Sequence, residues 1–300
     1  MPSGNITAAI AGMAPRADTA SGACGQTLRK RFQSAAILLP VALGAGWLGG
    51  PYWAGLVFLF AIAMAWEWSS ICARGDQRPA EWILGVGPAG LASILAVAIA
   101  SAAAAFDRYV PALVLLGLGG AAAAAIGASA RGGQGRWHGL GVLYVGLPCI
   151  AIIWVRAQHD DGLATLLWLL GLVVAVDTGA FAAGRLIGGF KLAPRISPGK
   201  TWAGLGGGVV AAMLIGWIAV FWLGLPRLLP LILVSAALAL VEQAGDLAES
   251  AFKRRFGMKD SSQLIPGHGG VLDRVDGFLA VSLAVAVAEY FFGGILEWTR

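Results

Sequence analysis

The residues best suited to chemistry in this sequence lie in its C-terminal half. Asp246, Ser250 and Lys253 are spaced i, i+4 and i+7, so a helix would carry a carboxylate, a hydroxyl and an ammonium group on one face. Asp273 and Asp276 are spaced i, i+3 and would share a face of a second helix. Carboxylate oxygens suit Mg²⁺, which usually completes its shell with water and substrate phosphate oxygens. The spacing therefore predicts a site for Mg²⁺, as one or two cations, formed by Asp246, Asp273 and Asp276.

Basic side chains lie close to these carboxylates in the sequence, as a site for a phosphorylated substrate requires. They are Lys253, Arg254, Lys259 and Arg274. Their charges would neutralise a polyphosphate. His268, which lies between two glycines, is a candidate to bond a phosphate or the leaving group. A loop that only followed the positive-inside rule would not need the acidic residues, so we interpret the cluster as a functional site.

Two further polar clusters precede this one. Asp177 and Arg185 are eight residues apart, a little over two helical turns, so both side chains would face one cavity. Ser197, Lys200 and Thr201 offer hydroxyls and an ammonium group just before a glycine-rich helix, which suits a phosphate. This segment lacks the glycine pattern of a P-loop. Taken alone, the first cluster is also compatible with a structural ion pair, and the second with a positively charged loop.

The composition of the 300-residue chain is that of a membrane protein. Hydrophobic residues make up 58% of it and charged residues 12%, with a mean hydropathy of +0.77. Charged residues usually make up about a quarter of a soluble domain. The chain therefore has too few polar residues for a water-soluble enzyme and too many apolar ones for a disordered protein. Its three widely spaced cysteines argue against a disulfide framework or a zinc site.

Nine apolar stretches approach the roughly 20 residues that cross a bilayer. They cover approximately residues 34–49, 52–73, 82–105, 110–129, 139–155, 163–184, 203–224, 228–248 and 271–293. The first stretch is short and the third is long enough to form two pieces, so totals of eight and of ten spans are alternatives. The sequence predicts an all-α polytopic membrane protein with about nine transmembrane helices. The second stretch contains Glu67, an intramembrane carboxylate that partial solvation or a neighbouring Arg would explain.

The distribution of Lys and Arg predicts the orientation of the chain. With a cytoplasmic N-terminus, 17 of the 21 Lys and Arg residues lie on cytoplasmic segments, as the positive-inside rule requires. We expect residues 1–33 to form a disordered cytoplasmic tail and residues 34–155 to form the N-terminal transmembrane helices. Residues 156–300 would then form the catalytic transmembrane region, with its polar clusters facing the cytoplasm.

The sequence resembles the phosphatidate cytidylyltransferase family, the CDP-diacylglycerol synthases, between about residues 170 and 290. The resemblance rests on the 27-residue segment S-A-F-K-R-R-F-G-M-K-D-S-S-Q-L-I-P-G-H-G-G-V-L-D-R-V-D, from Ser250 to Asp276. Three shorter motifs precede it in the family's order, namely D-T-G-A-F-A-A-G-R (177–185), S-P-G-K-T-W (197–202) and G-D-L-A-E-S (245–250). A long pattern with several defined Lys, Asp, His, Gly and Arg positions is far more specific than a lone glycine motif.

The resemblance implies an enzyme of the inner (cytoplasmic) membrane that transfers CMP from CTP to phosphatidic acid, giving CDP-diacylglycerol and pyrophosphate. We assign catalysis to Asp246, Lys253, His268, Asp273 and Asp276, with metal binding by the three aspartates. We assign substrate binding to Asp177, Arg185, Ser197, Lys200, Thr201, Ser250, Arg254, Lys259 and Arg274. No nucleic acid partner is expected, and the small-residue helix faces are compatible with a homodimer.

Two positions depart from the family pattern. Ala203 stands where a polar, often acidic, residue is common, and Glu242 is a candidate to supply the missing group. Phe181 stands where Tyr is common, which removes one hydroxyl from the site. Two alternatives stay open from the residues alone. One is a CTP-using enzyme acting on an isoprenoid alcohol or an archaeal-type lipid phosphate, and the other is a cation-coupled transporter.

Overall fold

The computed structural model describes residues 36–74, 85–129, 134–158, 161–265 and 269–296. Within these residues the chain forms nine α-helices and one two-stranded sheet. The helices are α1 (Ala36–Leu48), α2 (Gly50–Arg74), α3 (Pro88–Ala105), α4 (Tyr109–Ser129), α5 (Gly135–Ala157), α6 (Gly162–Leu186), α7 (Trp202–Leu223), α8 (Leu228–Arg255) and α9 (Leu272–Phe292). The strands are β1 (Lys191–Ala193) and β2 (Ser197–Thr201).

Eight of the described helices, α2 to α9, are long and apolar enough to cross a membrane. The described part of the first helix, Ala36–Leu48, is shorter. At 1.5 Å per residue it measures about 20 Å, against about 30 Å for a hydrocarbon core. The prediction of an all-α polytopic membrane protein is confirmed. The predicted tail, residues 1–33, lies outside the described residues, and the cytoplasmic position of the N-terminus stays a prediction.

Two helices differ in their bounds from the apolar stretches. Helix α3 begins at Pro88 rather than near residue 82, and proline suits a first turn because its φ angle is preset and it lacks an N–H. Helix α8 continues beyond the apolar stretch to Arg255, as the predicted helix face of Asp246, Ser250 and Lys253 requires. It continues past the apolar stretch because three basic residues in its last turn interact favourably with the helix dipole. One continuous helix therefore carries Asp246, Ser250 and Lys253.

Glycines bring α6 close to α7. A Cβ atom on Gly207 would lie 2.7 Å from the carbonyl oxygen of Gly179, and one on Gly179 would lie 2.7 Å from the carbonyl oxygen of Gly207. Such an approach requires residues without a side chain. Gly204, Gly207 and Gly208 all lie against α6, whereas Gly206 faces open space.

The connection between α6 and α7 contains a β-hairpin. Its strands are antiparallel, with Lys191 opposite Thr201 and Ala193 opposite Ser197. The backbone N–H of Trp202 donates to the carbonyl oxygen of Phe190 at 3.1 Å and closes the open end. The interpretation of the Ser-Pro-Gly-Lys-Thr segment as a loop was wrong, because cross-strand pairing outweighs the weak strand propensity of Pro and Gly. The hairpin presents Lys200 at the start of α7.

An aromatic stack ties the N-terminal helices to the polar end of α8. The rings of Trp68 and Phe252 are stacked, with centroids 3.6 Å apart and planes 7° from parallel. The indole N–H of Trp68 donates to the carbonyl oxygen of Trp137 at 2.8 Å. Because Phe252 precedes Lys253, helices α2 and α5 help to fix the segment of α8 that carries this lysine.

Candidate active site

A cavity of about 490 Å³ lies where α6, β2 and α8 meet. Asp177 and Arg185 both line it from α6, as their spacing predicts. Lys200 and Thr201 line it from β2, and Asp246 lines it from α8. The fold thus brings five predicted site residues into one cavity, from segments up to about 70 positions apart in the chain.

An ion pair connects two walls of this cavity. The Nζ atom of Lys200 lies 2.6 Å from Oδ2 of Asp246, and the two side chains are 18% and 26% exposed. Partly exposed ion pairs contribute only about 0–1 kcal/mol to stability. The ammonium group can therefore exchange its carboxylate partner for a phosphate at low cost, and the carboxylate can exchange the ammonium for a cation.

Thr201 has a structural partner as well as a place on the cavity wall. Its Oγ1 accepts a hydrogen bond from the backbone N–H of Gly204 at 3.0 Å, which makes it the N-cap of α7. This bond explains why the helix begins directly after the strand. Its assignment to substrate binding stays a prediction, and the cap gives the residue a second reason to be a threonine.

Lys253 lies between two carboxylates at the junction of α8 and α9. Its Nζ atom is 2.5 Å from Oε2 of Glu249 and 2.6 Å from Oδ1 of Asp273. The Glu249 side chain is fully buried, and those of Lys253 and Asp273 are 10% and 9% exposed. A buried charge without a partner costs several kcal/mol, so the two carboxylates compensate the ammonium charge here.

The Asp273 carboxylate also receives backbone hydrogen bonds from the loop between α8 and α9. The N–H of Ser261 donates to Oδ1 and Oδ2 at 3.1 and 3.0 Å, and the N–H of Gly270 donates to Oδ2 at 2.9 Å. The position of this carboxylate therefore depends on how the loop is folded.

Asp276 completes the predicted aspartate trio, one turn further along α9. One of its oxygens accepts from the adjacent N–H of Gly277 at 2.9 Å, and the carboxylate lies close enough to Asp246 for their charges to repel. Neighbouring carboxylates are a donor set that fits a hard cation, and Asp246 and Asp273 each also pair with a lysine at 2.6 Å. In the part of the chain that the structure describes, no three His, Cys, Asp or Glu side chains gather as a metal site. The three-aspartate magnesium site stays a prediction.

Ser250 and Arg254, on the same helix, contact their surroundings in different ways. The Ser250 hydroxyl donates to Oδ1 of Asp246 at 3.3 Å, which confirms that these residues share a face of α8. Arg254 donates to the carbonyl oxygens of Ile196 at 3.2 Å and Met258 at 3.0 Å. This arginine therefore connects α8 to the hairpin that carries Lys200.

The remaining assigned residues lie away from the cavity wall. Ser197 is in β2, at the far end of the strand from Lys200, and Lys259 and Arg274 are exposed beside the loop between α8 and α9. His268 lies outside the described residues. Ser197, Lys259 and Arg274 do not line the cavity, although the charge of Arg274 acts on Asp177 in its wall.

Two buried polar residues, Glu249 and Gln243, escaped the site prediction. Glu249 precedes Lys253 by four positions, a spacing that suits a helical ion pair and was available as a signal. Gln243 donates from Nε2 to Oε2 of Glu242 at 2.7 Å, and Glu242 is in turn a hydrogen-bond neighbour of Asp177. Glu242 thus lies beside the cavity. Its suggested role in replacing the group that is missing at Ala203 stays a prediction.

Glu67 differs from its expected state. The side chain is completely buried, so partial solvation was wrong, and its partners are serine hydroxyls and backbone N–H groups. These partners belong to the loop and first turn that hold Asp273.

Comparison of the sequence with known proteins identifies its family. The sequence profile of a family described as the cytidylyltransferase family matches residues 29–292. A protein of Brucella suis named phosphatidate cytidylyltransferase is 35% identical over 269 residues, covering 89% of this chain and 94% of the relative. A protein of the same name from Haemophilus influenzae is 42% identical over 161 residues, covering 50% of this chain and 55% of the relative.

A third relative of that name, from Staphylococcus haemolyticus, is 42% identical over 143 residues, 47% of this chain and 54% of the relative. The match to the Brucella protein extends over both the N-terminal helices and the cavity-forming half. Since the family profile also spans nearly all of the described helices, the chain belongs to the cytidylyltransferase family.

Proposed function

We propose that this protein transfers CMP from CTP to phosphatidic acid, giving CDP-diacylglycerol and pyrophosphate for phospholipid biosynthesis. The observation that carries the proposal is the pair of lysine–aspartate contacts, Lys200–Asp246 and Lys253–Asp273, at 2.6 Å each on neighbouring elements of a membrane-spanning bundle. Ammonium groups held beside carboxylates suit a substrate that is both anionic and bound with a metal. The names of the relatives support the same assignment.

The reaction needs placement and charge neutralisation more than a protein nucleophile. A phosphatidate oxygen attacks the α-phosphorus of CTP, a new P–O bond forms, and the bond to the β-phosphate oxygen breaks as pyrophosphate leaves in line. The phosphatidate oxygen is already ionised, so no residue has to remove a proton from it. Lys200 and Lys253 would bind phosphate oxygens, with Arg254, Lys259 and Arg274 holding negative charge at the cavity entrance.

The carboxylates are suited to a divalent cation. Asp246 and Asp276 would hold Mg²⁺, with Asp273 as a further ligand once Lys253 binds a phosphate. When bound, the cation would supply positive charge where it accumulates on the phosphates and the leaving group. Contacts within the chain orient both lysines. Backbone hydrogen bonds position Asp273, the ion-pair partner of Lys253, and the β-hairpin positions Lys200.

The site would face the cytoplasm at the inner membrane, where CTP is available. The bias of Lys and Arg toward one set of connecting segments supports this orientation. A lipid substrate would approach sideways from the leaflet and CTP from the aqueous side. The small-residue faces of several helices support a homodimer, which mass measurement of the protein in detergent would test.

The experiment that tests the function uses purified protein in mixed micelles with phosphatidic acid, Mg²⁺ and CTP labelled in its cytidine ring. Cytidine label in the lipid phase, together with an equal amount of pyrophosphate, is the expected result, and EDTA should abolish both. Asp246→Asn should lower the rate by about 100-fold. A matched control is Asp107→Asn, at a position with φ of 58° between α3 and α4 that asparagine tolerates.

Other outcomes separate the rival functions. If the label entered a long-chain prenyl alcohol but not phosphatidic acid, the transfer of a cytidylyl group would stand. The assignment of phosphatidic acid as the substrate would be overturned. No transfer to any acceptor by folded protein would overturn the proposal. Cation-dependent counterflow in proteoliposomes would then favour the transporter.

A further inference from the structure

Glu67 is a buried carboxylate at the centre of a dense set of hydrogen bonds. It lies in the second half of α2 and is 0% exposed. Its Oε1 accepts from the Ser262 hydroxyl at 2.5 Å and from the Val271 N–H at 2.9 Å. Its Oε2 accepts from the Leu272 N–H at 2.7 Å and from the Ser261 hydroxyl at 3.3 Å. All four donors come from a segment about 200 residues further along the chain.

These bonds give Glu67 the function of a helix cap supplied from another helix. The first N–H groups of a helix have no partner within the helix, and the residue before α9, Val271, has no side chain that could cap it. The Glu67 carboxylate satisfies the N–H groups of Val271 and Leu272 instead. Its negative charge at a helix N-terminus is also favourable to the helix dipole.

The same donors connect Glu67 to Asp273. Ser261 donates through its hydroxyl to Glu67 and through its backbone N–H to Asp273. Gly270 donates its N–H to Asp273, and the next N–H along the chain, that of Val271, goes to Glu67. The two carboxylates therefore hold opposite sides of one loop.

The loop has no spare room at this point. A Cβ atom on Gly270 would lie 2.8 Å from Oε1 of Glu67 and would also overlap the Ser261 hydroxyl. A displacement of Glu67 would thus move the loop backbone directly. The backbone of this loop supplies the hydrogen bonds that orient Asp273.

We infer that Glu67 is a positioning residue for the transfer reaction, although it lies in the other half of the chain from the site. It holds the described parts of this loop, residues 261–265 and 269–272, in the shape that places the Asp273 carboxylate against Lys253. The inference rests on the proposed function for its kinetic consequence. Its structural consequence, a loop ordered by Glu67, can be measured without any activity.

The test compares Glu67→Gln with a matched variant of a second buried glutamate. Glutamine keeps the size of the side chain but replaces one acceptor oxygen by an NH₂ group. That group would face the N–H of Val271 or of Leu272, and the hydrogen bond from that N–H would be lost. Glu289→Gln is the control, because Glu289 is also buried in α9 but lies 16 residues, about 24 Å, beyond Asp273. Both proteins are purified in detergent, and rates are expressed per folded molecule.

In Glu67→Gln, kcat should fall by about 10- to 100-fold while the KM for CTP changes by less than about twofold. In Glu289→Gln, both constants should stay near the wild-type values even if the protein is less heat-stable. A wild-type kcat for Glu67→Gln, or an equal loss of kcat in Glu289→Gln, would overturn the positioning role. If Glu67→Gln lost total activity only because part of the protein was unfolded, kcat per folded molecule and KM would both be unchanged.

A second measurement keeps the inference separate from the proposed function. Hydrogen exchange followed by mass spectrometry should show faster exchange of the bonded amides of Ser261 and residues 270–272 in Glu67→Gln and not in Glu289→Gln. Ser262→Ala, which removes one donor and leaves the carboxylate, should give a smaller change of the same kind. If the wild-type enzyme transferred no cytidylyl group, the function would fail and exchange would still decide whether Glu67 orders the loop. Unchanged exchange in Glu67→Gln would overturn the inference.

Discussion

Replacement of Lys253 by methionine would remove an ion-pair partner from two carboxylates at once, Glu249 and Asp273. In the described structure its Nζ atom lies 2.5 Å from Glu249 and 2.6 Å from Asp273. Methionine fills a similar volume without the charge. The consequences for the two carboxylates differ, because Glu249 is fully buried, whereas Asp273 retains hydrogen bonds from the backbone of Ser261 and Gly270.

The expected loss of stability in Lys253→Met follows from the difference between Glu249 and Asp273. Removal of one partner from a buried pair costs about 3–5 kcal/mol, because the other charge is left uncompensated. Most of this cost should arise at Glu249. The double variant Lys253→Met/Glu249→Gln carries no stranded carboxylate at that position and should recover about 2 kcal/mol or more. Its activity should not recover, since Asp273 and the phosphates still lack the ammonium group.

Thermal unfolding in detergent, followed by tryptophan fluorescence at a fixed scan rate, measures the effect. At about 2–4 °C per kcal/mol, Lys253→Met should unfold at least about 6 °C below the wild type. Lys191→Met is the control, because this lysine is exposed on β1 and its loss should change stability by less than about 0.5 kcal/mol. An unchanged unfolding temperature for Lys253→Met would refute the buried-pair reasoning, and an active double variant would refute the catalytic assignment of Lys253.

Three further predictions concern other parts of the molecule. Asp273→Asn should lower cytidylyl transfer by about 100-fold while the protein keeps its elution volume in size-exclusion chromatography, and wild-type turnover would remove Asp273 from the machinery. Lys200→Ala should raise the KM for CTP by about tenfold, or about 1.4 kcal/mol, and an unchanged KM would contradict a contact with the nucleotide phosphates. Gly207→Val should force α6 and α7 apart and lower the unfolding temperature, whereas Gly206→Val, which faces open space, should not; equal unfolding temperatures would argue against the close approach.

Local patterns were sufficient for much of the site. The i, i+4 and i+7 spacing of Asp246, Ser250 and Lys253 predicted one helix face, and the hydrogen bond from Ser250 to Asp246 confirms it for that pair. The eight-residue spacing of Asp177 and Arg185 likewise predicted a shared cavity. Such predictions succeed because a helix relates nearby residues by a fixed geometry.

Contacts between distant segments could not be predicted from local spacing. The partner of Lys200 is on α8, 46 positions later in the sequence, and no local period relates a strand to that helix. The hairpin itself was missed because Ser-Pro-Gly-Lys-Thr has neither alternation nor β-branched enrichment. Glu67 was recognised as an unusual charge, yet two of its four hydrogen-bond donors are backbone N–H groups, which every residue except proline possesses.

Residue types and their order were enough to predict the class of the molecule and the chemistry available to it. Apolar stretches of bilayer length predict helices, because an open structure with unpaired backbone groups in lipid is too costly. The Asp and Lys residues limit what can be bound. Which charges meet depends on the tertiary packing. Helix α2 contacts the loop before α9, and β2 contacts α8. These contacts depend on how the segments pack, because separation along the chain does not determine distance in space.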